Sequence, residues 1–242
     1  MPPVAPAAPL ALRYEHICDR ARLDNLDEEL LVETLSEHEG GPVPELTRRS
    51  LAGHGNLLIA RRQHGQDPIG VFGFDIREVT GVQVLICGST FVRRDHTGRG
   101  VMRRLLAVAM LKTAGLSRTP QAIAARLVTP GLPEAMGRCA ARLPGATVYP
   151  AQAGTPIPLR TAALARAIAH ELAPHIRFDL ATSTLRGSLA VRGGVVRQVH
   201  ASSFLSRSFT PQDEVLSVID LRAMTDEAIV GAARRTARGR RA

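Results

Sequence analysis

The pattern of apolar and polar residues predicts short strands and amphipathic helices that alternate along the chain. Leucines at helical spacing in "LDNLDEELLVETLSEHEG" predict an early helix, and "PVPELTRRSLAGHGN" predicts a second, shorter one. In the first part of the chain the predicted strands are "LRYEHICD", "NLLIARR", "PIGVFGFDIREV" and "VQVLICGSTFV". Thr80–Gly81 separates the last two strands, which we expect to form an antiparallel hairpin.

A helix follows the fourth strand, with Val101, Leu105, Val108 and Leu111 on one face. The next predicted elements are a strand in "AIAARLVTPG", a short helix in "LPEAMGRCAARLPG" and a strand in "ATVYP". This alternation of strands and helices is typical of an α/β protein. We therefore predict an α/β fold with a mixed sheet, antiparallel in its early strands and parallel in its later ones.

The character of the sequence changes after residue 150, where "AQAGTPIP" is typical of a linker. We predict one domain over residues 10–150, an α/β extension over 151–223, and a terminal helix with a basic tail over 224–242. The predicted elements of the extension are a helix in "LRTAALARAIAHELAPH", a hairpin that turns at Gly193–Gly194 and a strand in "DEVLSVIDL". Thr225 is expected to cap the terminal helix.

Composition narrows the classes of function. Hydrophobic residues make up 45% of the chain, enough for a core without disulfides, whereas aromatic residues make up 3%, too few for a protein that stacks on nucleic-acid bases. Five arginines lie in the last ten residues, so more than half of the formal charge of +9 belongs to the tail. Three widely spaced cysteines predict no metal site. Without a signal-peptide pattern or an apolar run of about 20 residues, we expect a soluble, cytoplasmic protein.

The feature that carries chemistry is the Gly-rich turn "HTGRG" between a strand and a helix. Gly98 and Gly100 allow a ligand to approach the backbone where a side chain would block it. The first N–H groups of the following helix have no intrahelical partner, and the helix dipole favours an anion beside them. Arg99 adds a positive charge. The turn is neither a Walker A loop nor a full GxGxxG, since residue 103 is Arg, but it predicts an anion-binding loop.

The order of elements around "VRRDHTGRGVMRRLL" resembles that of the GNAT acetyltransferase superfamily over residues 12–150. Members bind the pyrophosphate of acetyl-CoA with a loop of the form Gln/Arg-x-x-Gly-x-Gly/Ala. The resemblance places this loop on Thr97–Met102, where Gly100 matches and the first and last positions depart from the pattern. It implies a GNAT-like fold with acetyl-CoA, or another acyl-CoA, as co-substrate. The implied cofactor-binding residues are Phe91, Val92, Thr97, Gly98, Arg99, Gly100, Val101 and Met102, the first two through backbone pairing with the pantetheine arm.

The resemblance also implies transfer of the acyl group to an amine, which requires a base for the amine and a proton for the departing thiolate. Many members carry a Glu as base on the strand before the loop, but residues 82–92 contain no acid and no histidine. Three candidates stay open: Asp75 and Glu78 on the preceding strand, and a water molecule held by Ser89.

The general acid of the family is often a Tyr on the later short helix. The family spacing Ala-x-x-x-Tyr, counted from Ala135, leads to Cys139. Its thiol can protonate a thiolate, or it can be a small buried apolar residue. Tyr149 is the other phenol within reach, and His96 beside the loop can touch a phosphate, although an exposed loop position is expected for it.

Two functions from different classes follow. One is an acyl-CoA-dependent N-acyltransferase, an acetyltransferase that acts on the amine of a small molecule or a peptide. The alternative is a non-catalytic GNAT-like module that binds CoA and serves as a regulatory or interaction partner. Nothing outside the Arg-rich tail favours nucleic acid as a partner, no membrane partner is expected, and a homodimer stays open.

Overall fold

The computed structural model describes residues 10–18, 29, 31–32, 52–116, 118–127, 132–150, 156–188 and 213–239. Its strands are β1 (Leu12–Ile17), β2 (Asn56–Arg62), β3 (Pro68–Val79), β4 (Val82–Val92), β5 (Ala122–Leu127), β6 (Thr147–Tyr149), β7 (Phe178–Asp179), β8 (Thr184–Leu185) and β9 (Glu214–Asp220). Its helices are α1 (Val101–Leu116), α2 (Leu132–Ala140), α3 (Leu159–Leu172) and α4 (Asp226–Ala237), with a 3₁₀ turn at Arg94–His96. Most of the two helices predicted before Asn56, and the hairpin predicted at Gly193–Gly194, lie outside the described residues. In the described part of the chain, no helix has the length and apolar character needed to cross a membrane.

The described strands form one mixed sheet in the order β1-β2-β3-β4-β5-β9-β8-β7, and β6 also pairs with β9. The predicted α/β class with a mixed sheet is therefore confirmed. Strands β1 to β3 pair antiparallel, and β4 pairs with β5 in parallel from Val84 to Cys87. The prediction of parallel later strands is wrong beyond that pair, because β9 runs antiparallel to β5, β6 and β8. A strand from far along the chain occupies the position beside β5, and local patterning does not reveal its direction.

The β3–β4 hairpin turns where predicted because its two turn residues adopt the required backbone. Thr80 and Gly81 have φ values of 50° and 78°. Two consecutive positive values are typical of a type I′ turn, whose twist matches that of the flanking strands. The hydroxyl of Thr80 donates to the carbonyl of Val79 at 2.7 Å.

Strand β9 brings the predicted extension into the sheet. It pairs with β5 from Ala122↔Asp220 to Leu127↔Val215, and all of its residues are buried. The terminal helix α4 follows, and Thr225 caps it as predicted: its hydroxyl accepts the N–H of Ala228 at 3.3 Å. The extension therefore supplies an interior strand.

Contacts divide the chain into two compact units whose limits fall inside strands and helices. The first unit comprises Met1–Phe74, Gly88–Ala109 and Ala233–Ala242, and the second comprises Asp75–Cys87 and Met110–Ala232. The domain boundary expected at residue 150 is a different division, and it stays a prediction.

In the first unit, one glycine allows helix α1 to pack closely on strand β3. A Cβ at Gly70 would lie 3.0 Å from Cγ1 of Val101 and 3.2 Å from Cδ1 of Leu105. The missing side chain therefore sets how near the first turns of α1 approach the sheet. One apolar cluster of this unit is formed by Ile17, Leu31, Leu57, Ile59 and Val71, with Phe91 packed against it.

In the second unit, helix α3 packs on the sheet around a buried tyrosine. Tyr149 at the end of β6 is fully buried, and its hydroxyl donates to the carbonyl of Leu180. The same core takes up one face of α3, formed by Leu164, Ala165, Ile168 and Ala169.

Candidate functional site

Hydrogen bonds at the end of β4 hold the start of the Gly-rich turn. The N–H of Arg93 donates to the carbonyl of Ile69 at 2.9 Å, which continues the pairing with β3 past the last residue of β4. The N–H of His96 closes the 3₁₀ turn on the carbonyl of Arg93 at 2.8 Å. The Arg93 guanidinium also binds both carboxylate oxygens of Asp95 at 2.8 Å. The turn therefore starts from a position that the sheet fixes.

The two glycines of the turn adopt a backbone that other residues rarely take. Gly98 and Gly100 have φ values of 77° and 73°. A Cβ on Gly98 would meet nothing within 4 Å, and one on Gly100 would lie 3.4 Å from Nη2 of Arg103. The left-handed conformation, and not a shortage of space, therefore requires glycine here. Thr97, Gly98 and Arg99 are exposed, so the outer side of the turn faces solvent.

Helix α1 begins with N–H donors and a cation, and its first turn contains no acid. The N–H of Arg104 makes the first helical hydrogen bond, to the carbonyl of Gly100 at 3.1 Å. The N–H groups of Val101, Met102 and Arg103 come before this bond and therefore have no acceptor within the helix. The Nε of Arg103 is buried, with no hydrogen-bond partner among the described residues. Because a cation at a helix N-terminus opposes the helix dipole, a bound anion would stabilise this arrangement.

His96 is a buried residue that packs under the Gly-rich turn, so the expectation that it is exposed is wrong. Its side chain is 1% exposed. Nδ1 lies 2.7 Å from Oδ1 of Asp95, and Nε2 lies 3.1 Å from Nη2 of Arg62. A guanidinium can only donate and a carboxylate only accept, so Nδ1 carries the proton and the ring is neutral. Arg62, distant in sequence, covers the ring from β2.

Replacing His96 with leucine is expected to lower the free energy of unfolding by about 1–2 kcal/mol, because the ring's hydrogen bonds to Asp95 and Arg62 are lost. Leucine fills a similar volume, which limits any cavity. Urea denaturation measures the change. His64→Leu is the matched control, since His64 is exposed and its loss should change stability by less than about 0.5 kcal/mol. Equal stability of the two variants would contradict a supporting role for His96.

The last residues of β4 run beyond its pairing with β5. The register with β5 ends at Cys87↔Ala125, whereas β4 continues to Val92. Phe91 and Val92 belong to this stretch and are half-buried. A strand that extends past its neighbour offers backbone N–H and C=O groups with which an extended ligand can pair.

His54 is a candidate that sequence reasoning missed. It precedes β2, and its Nε2 lies 3.1 Å from the backbone N of Ser89 and 3.5 Å from the Ser89 hydroxyl. The fold therefore brings an imidazole to Ser89, a candidate named from the sequence. The available signals were Gly73 and Gly88, glycines inside strands, which often mark the close approach of another group. The sequence does not say which group approaches.

Cys139 lies on α2 in the second unit, near Cys87. Burial raises the pKa of the Cys139 thiol by more than the Arg138 guanidinium lowers it. Burial, and then the neighbouring Cys139, raise the pKa of the Cys87 thiol. Both thiols therefore stay protonated near neutral pH, the state in which a thiol can donate a proton.

The other candidates for proton transfer differ in how accessible they are. Burial raises the pKa of Tyr149 to about 12, and its hydroxyl is bound to the carbonyl of Leu180, so this phenol has a structural place in the core. On β3, Asp75 is half-buried and Glu78 is exposed. The alternation of a strand puts Asp75 on the same face as Gly73 and Glu78 on the opposite one.

No family model matches the chain, and no curated protein matches it. Solved structures do. The NatC complex bound to Gag peptide and CoA is 13% identical with a TM-score of 0.42, over 89% of this chain and 100% of that one. YhbS, a GNAT family N-acetyltransferase from Escherichia coli in complex with CoA, is 14% identical with a TM-score of 0.43, over 94% of this chain and 88% of that one. An N-acetyltransferase from Lactobacillus plantarum is 14% identical with a TM-score of 0.43, over 60% of this chain and 93% of that one.

Two of these three structures carry the name N-acetyltransferase, and the third is the NatC complex. The identities lie well below 25% and the TM-scores below 0.5. The resemblance therefore carries no argument about activity, cofactor or substrate, and any functional conclusion depends on the residues of this chain.

Proposed function

We propose that the chain is an acyl-CoA-dependent N-acyltransferase that transfers an acyl group, acetyl in the first place, to the amine of a small molecule or a peptide. The observation that carries the proposal is the turn Thr97–Met102 at the start of α1. Gly98 and Gly100 are left-handed, the first N–H groups of the helix precede any helical bond, and the Arg103 guanidinium lies beside Gly100. Backbone donors, a helix dipole and a guanidinium together suit the two charges of a pyrophosphate.

The proposed cofactor site continues from the turn along β4. The N–H groups of Val101 and Met102 hold the pyrophosphate, and Arg99 adds charge from the exposed side of the turn. Phe91 and Val92, beyond the register with β5, offer their backbone to the amides of the pantetheine arm. With the pyrophosphate at the turn and the arm along β4, the thioester end of the cofactor is directed towards Ser89.

In the proposed reaction the amine nitrogen attacks the carbonyl carbon of the thioester directly. The C–N bond forms as the C–S bond breaks, and CoA departs as a thiolate that takes up a proton. Cys139, whose thiol stays protonated because burial raises its pKa, is the proposed donor of that proton. Ser89 is the proposed polar group beside the thioester, with its hydroxyl 3.5 Å from Nε2 of His54.

Two measurements on the full chain test the proposal. Calorimetric titration with acetyl-CoA and CoA is expected to give saturable binding in the micromolar range, about −8 kcal/mol. A thiol-release assay over a panel of small amines and peptides is expected to give turnover that depends on the amine. Binding without turnover across the panel would favour the alternative, a non-catalytic CoA-binding module. Absence of binding to either compound would contradict both functions.

A further inference from the structure

The imidazole of His54 lies in a space that exists only because two facing strand residues are glycines. A Cβ on Gly73 would come within 2.4 Å of Cδ2 of His54, and a Cβ on Gly88 within 2.0 Å of its Cε1. Real Cβ atoms do not approach other heavy atoms so closely. Any side chain at either position would displace the ring. We call this space the Gly73–Gly88 notch.

The two glycines that form the notch face each other on neighbouring strands. Val79 and Val82 flank the hairpin turn, and Gly73 and Gly88 are equally far from it along their strands. An unbroken hairpin register therefore places Gly73 opposite Gly88. A glycine inside a strand destabilises it and is found where another group approaches the backbone closely. In this chain the group that approaches both glycines is the ring of His54.

The ring is held in the protonation state of a base. Its Nε2 lies 3.1 Å from the backbone N of Ser89, whose N–H can only donate. Nε2 therefore has its lone pair directed at β4, and the proton of the neutral ring is on Nδ1. The Ser89 hydroxyl lies 3.5 Å from the same nitrogen. The result is a neutral imidazole with its basic nitrogen at the backbone of β4.

Nε2 of His54 lies beside the part of β4 where the thioester of a bound acyl-CoA is expected. This step of the argument rests on the proposed function. Ser89 lies two residues after Cys87, the last β4 residue in register with β5, and about 10 Å before the Val92 end of the strand. An acyl-CoA anchored at the turn and paired with Phe91 and Val92 brings its thioester towards Ser89. Residues 82–92 contain no acid and no histidine, so β4 itself has no side chain that can take a proton from an amine.

We propose that His54 is the catalytic base of the acyl transfer. The amine nitrogen attacks the thioester carbonyl carbon, the C–N bond forms, and one proton of the amine passes to Nε2 of His54. The C–S bond breaks with its electron pair on sulfur, and the thiolate takes a proton from Cys139, the donor proposed above, to give free CoA. The proton on His54 then returns to Cys139 through solvent, which restores both groups. The Gly73–Gly88 notch holds the ring in place, and the N–H of Ser89 orients it in the absence of the amine.

The test compares variants of the full chain at the level of rate, affinity and pH profile. His54→Gln is expected to lower kcat/KM near neutral pH by about 10²–10³-fold, the usual contribution of a general base, and to remove the acid limb of its pH profile. The affinity for acetyl-CoA is expected to stay within about threefold. Added imidazole is expected to restore part of the activity of His54→Ala, which a ring with only a packing role would not allow. His64→Gln, a change at an exposed histidine, is the matched control with wild-type behaviour.

Other titratable groups lie on the two strands that pack against the His54 ring, and variants of these groups show whether the acid limb of the pH profile belongs to them. On β3 this is Asp75, on the same face as Gly73, and on β4 it is Cys87, whose side chain lies on the face opposite Gly88. If the acid limb belongs to His54, it persists in Asp75→Asn and in Cys87→Ser.

Several results would overturn the proposal. A folded His54→Gln protein that keeps its rate within threefold together with the acid limb would exclude His54 as the base. If the His54 variants do not fold, NMR titration of labelled histidine in the wild type replaces them, and a His54 midpoint different from the kinetic one would exclude it equally. If the wild-type protein binds acetyl-CoA but gives no turnover, both the proposed enzymatic activity and the role of His54 are overturned. If turnover does not depend on His54, only the role of His54 is overturned.

Discussion

Replacing Gly100 with glutamate is expected to abolish the binding of acetyl-CoA while the chain stays folded. The residue is left-handed, so any side chain there costs about 1–2 kcal/mol of strain, which a domain of this size tolerates. A Cβ at this position lies 3.4 Å from the Arg103 guanidinium. The new carboxylate would therefore bind the cation and the helix N-terminus that the pyrophosphate needs, and would repel the phosphates. Titration is expected to show a loss of at least about 100-fold, or about 2.7 kcal/mol.

Gly81 offers a matched control for this substitution. Its φ of 78° is close to that of Gly100, and a Cβ there would meet nothing within 4 Å. Gly81→Glu introduces the same strain and the same charge at the β3–β4 turn, so its affinity for acetyl-CoA should equal that of the wild type. Gly100→Ala separates strain from charge, and an intermediate loss is expected. An unchanged affinity in folded Gly100→Glu would remove the cofactor assignment.

Replacing Asp220 with asparagine is expected to lower the free energy of unfolding by about 2–3 kcal/mol, because a buried carboxylate with several donors loses its charge. Its Oδ2 accepts the hydroxyl of Thr161 at 2.8 Å and Nη2 of Arg222 at 2.7 Å. Its Oδ1 accepts Nε of Arg222 at 2.9 Å. The amide nitrogen of asparagine cannot accept any of these bonds. For a chain of this length the melting temperature is expected to fall by about 5–10 °C.

The effect of this substitution depends on pH in a definite direction. Burial raises the pKa of Asp220, but the hydrogen bonds from Arg222 and Thr161 lower it by more, so the folded value lies below the usual one. A group with a depressed folded pKa stabilises the protein above its unfolded value of about 3.9 and loses this contribution as the pH falls through the folded value. The stability difference between wild type and Asp220→Asn should therefore be full above about pH 5 and narrow below pH 4.

Glu171 provides the control for Asp220. Its carboxylate pairs with Arg77 at 3.2 Å, and both side chains are close to half exposed. Exposed pairs of this kind contribute little, so Glu171→Gln should change stability by less than about 0.5 kcal/mol. Urea denaturation of both variants across pH measures the comparison. A difference between wild type and Asp220→Asn that is the same at pH 3 and pH 7 would contradict an ionised role for Asp220.

The local sequence pattern predicted those strands, turns and caps that depend on a few adjacent residues. Strands β2, β3 and β4 begin and end at the residues that their alternation and the Thr80–Gly81 turn indicate. The Thr225 cap and the start of α1 at Val101 were also predictable, since each depends on a few adjacent residues. The sequence also indicated a turn at Gly98 and Gly100, and only the structure showed that both glycines are left-handed.

The candidate site was predictable only where it is made of consecutive residues. The turn after β4 is such a segment. The contact between His54 and Ser89, and the cover that Arg62 gives His96, join residues more than thirty positions apart. Neither pair has a sequence signal that names its partner, although Gly73 and Gly88 marked that something approaches.

The sequence by itself determined strands β1 to β6 and β9, the β3–β4 hairpin, the helix that follows β4 and the glycine turn before that helix, because propensity, alternation and capping act over a few residues. Only the tertiary structure decided that β9 lies antiparallel beside β5, that His96 is buried, and that an imidazole fills the Gly73–Gly88 notch. The physical reason is that pairing and burial depend on which distant segments approach each other. That choice follows from the packing of the whole core and leaves no periodic trace in either segment alone.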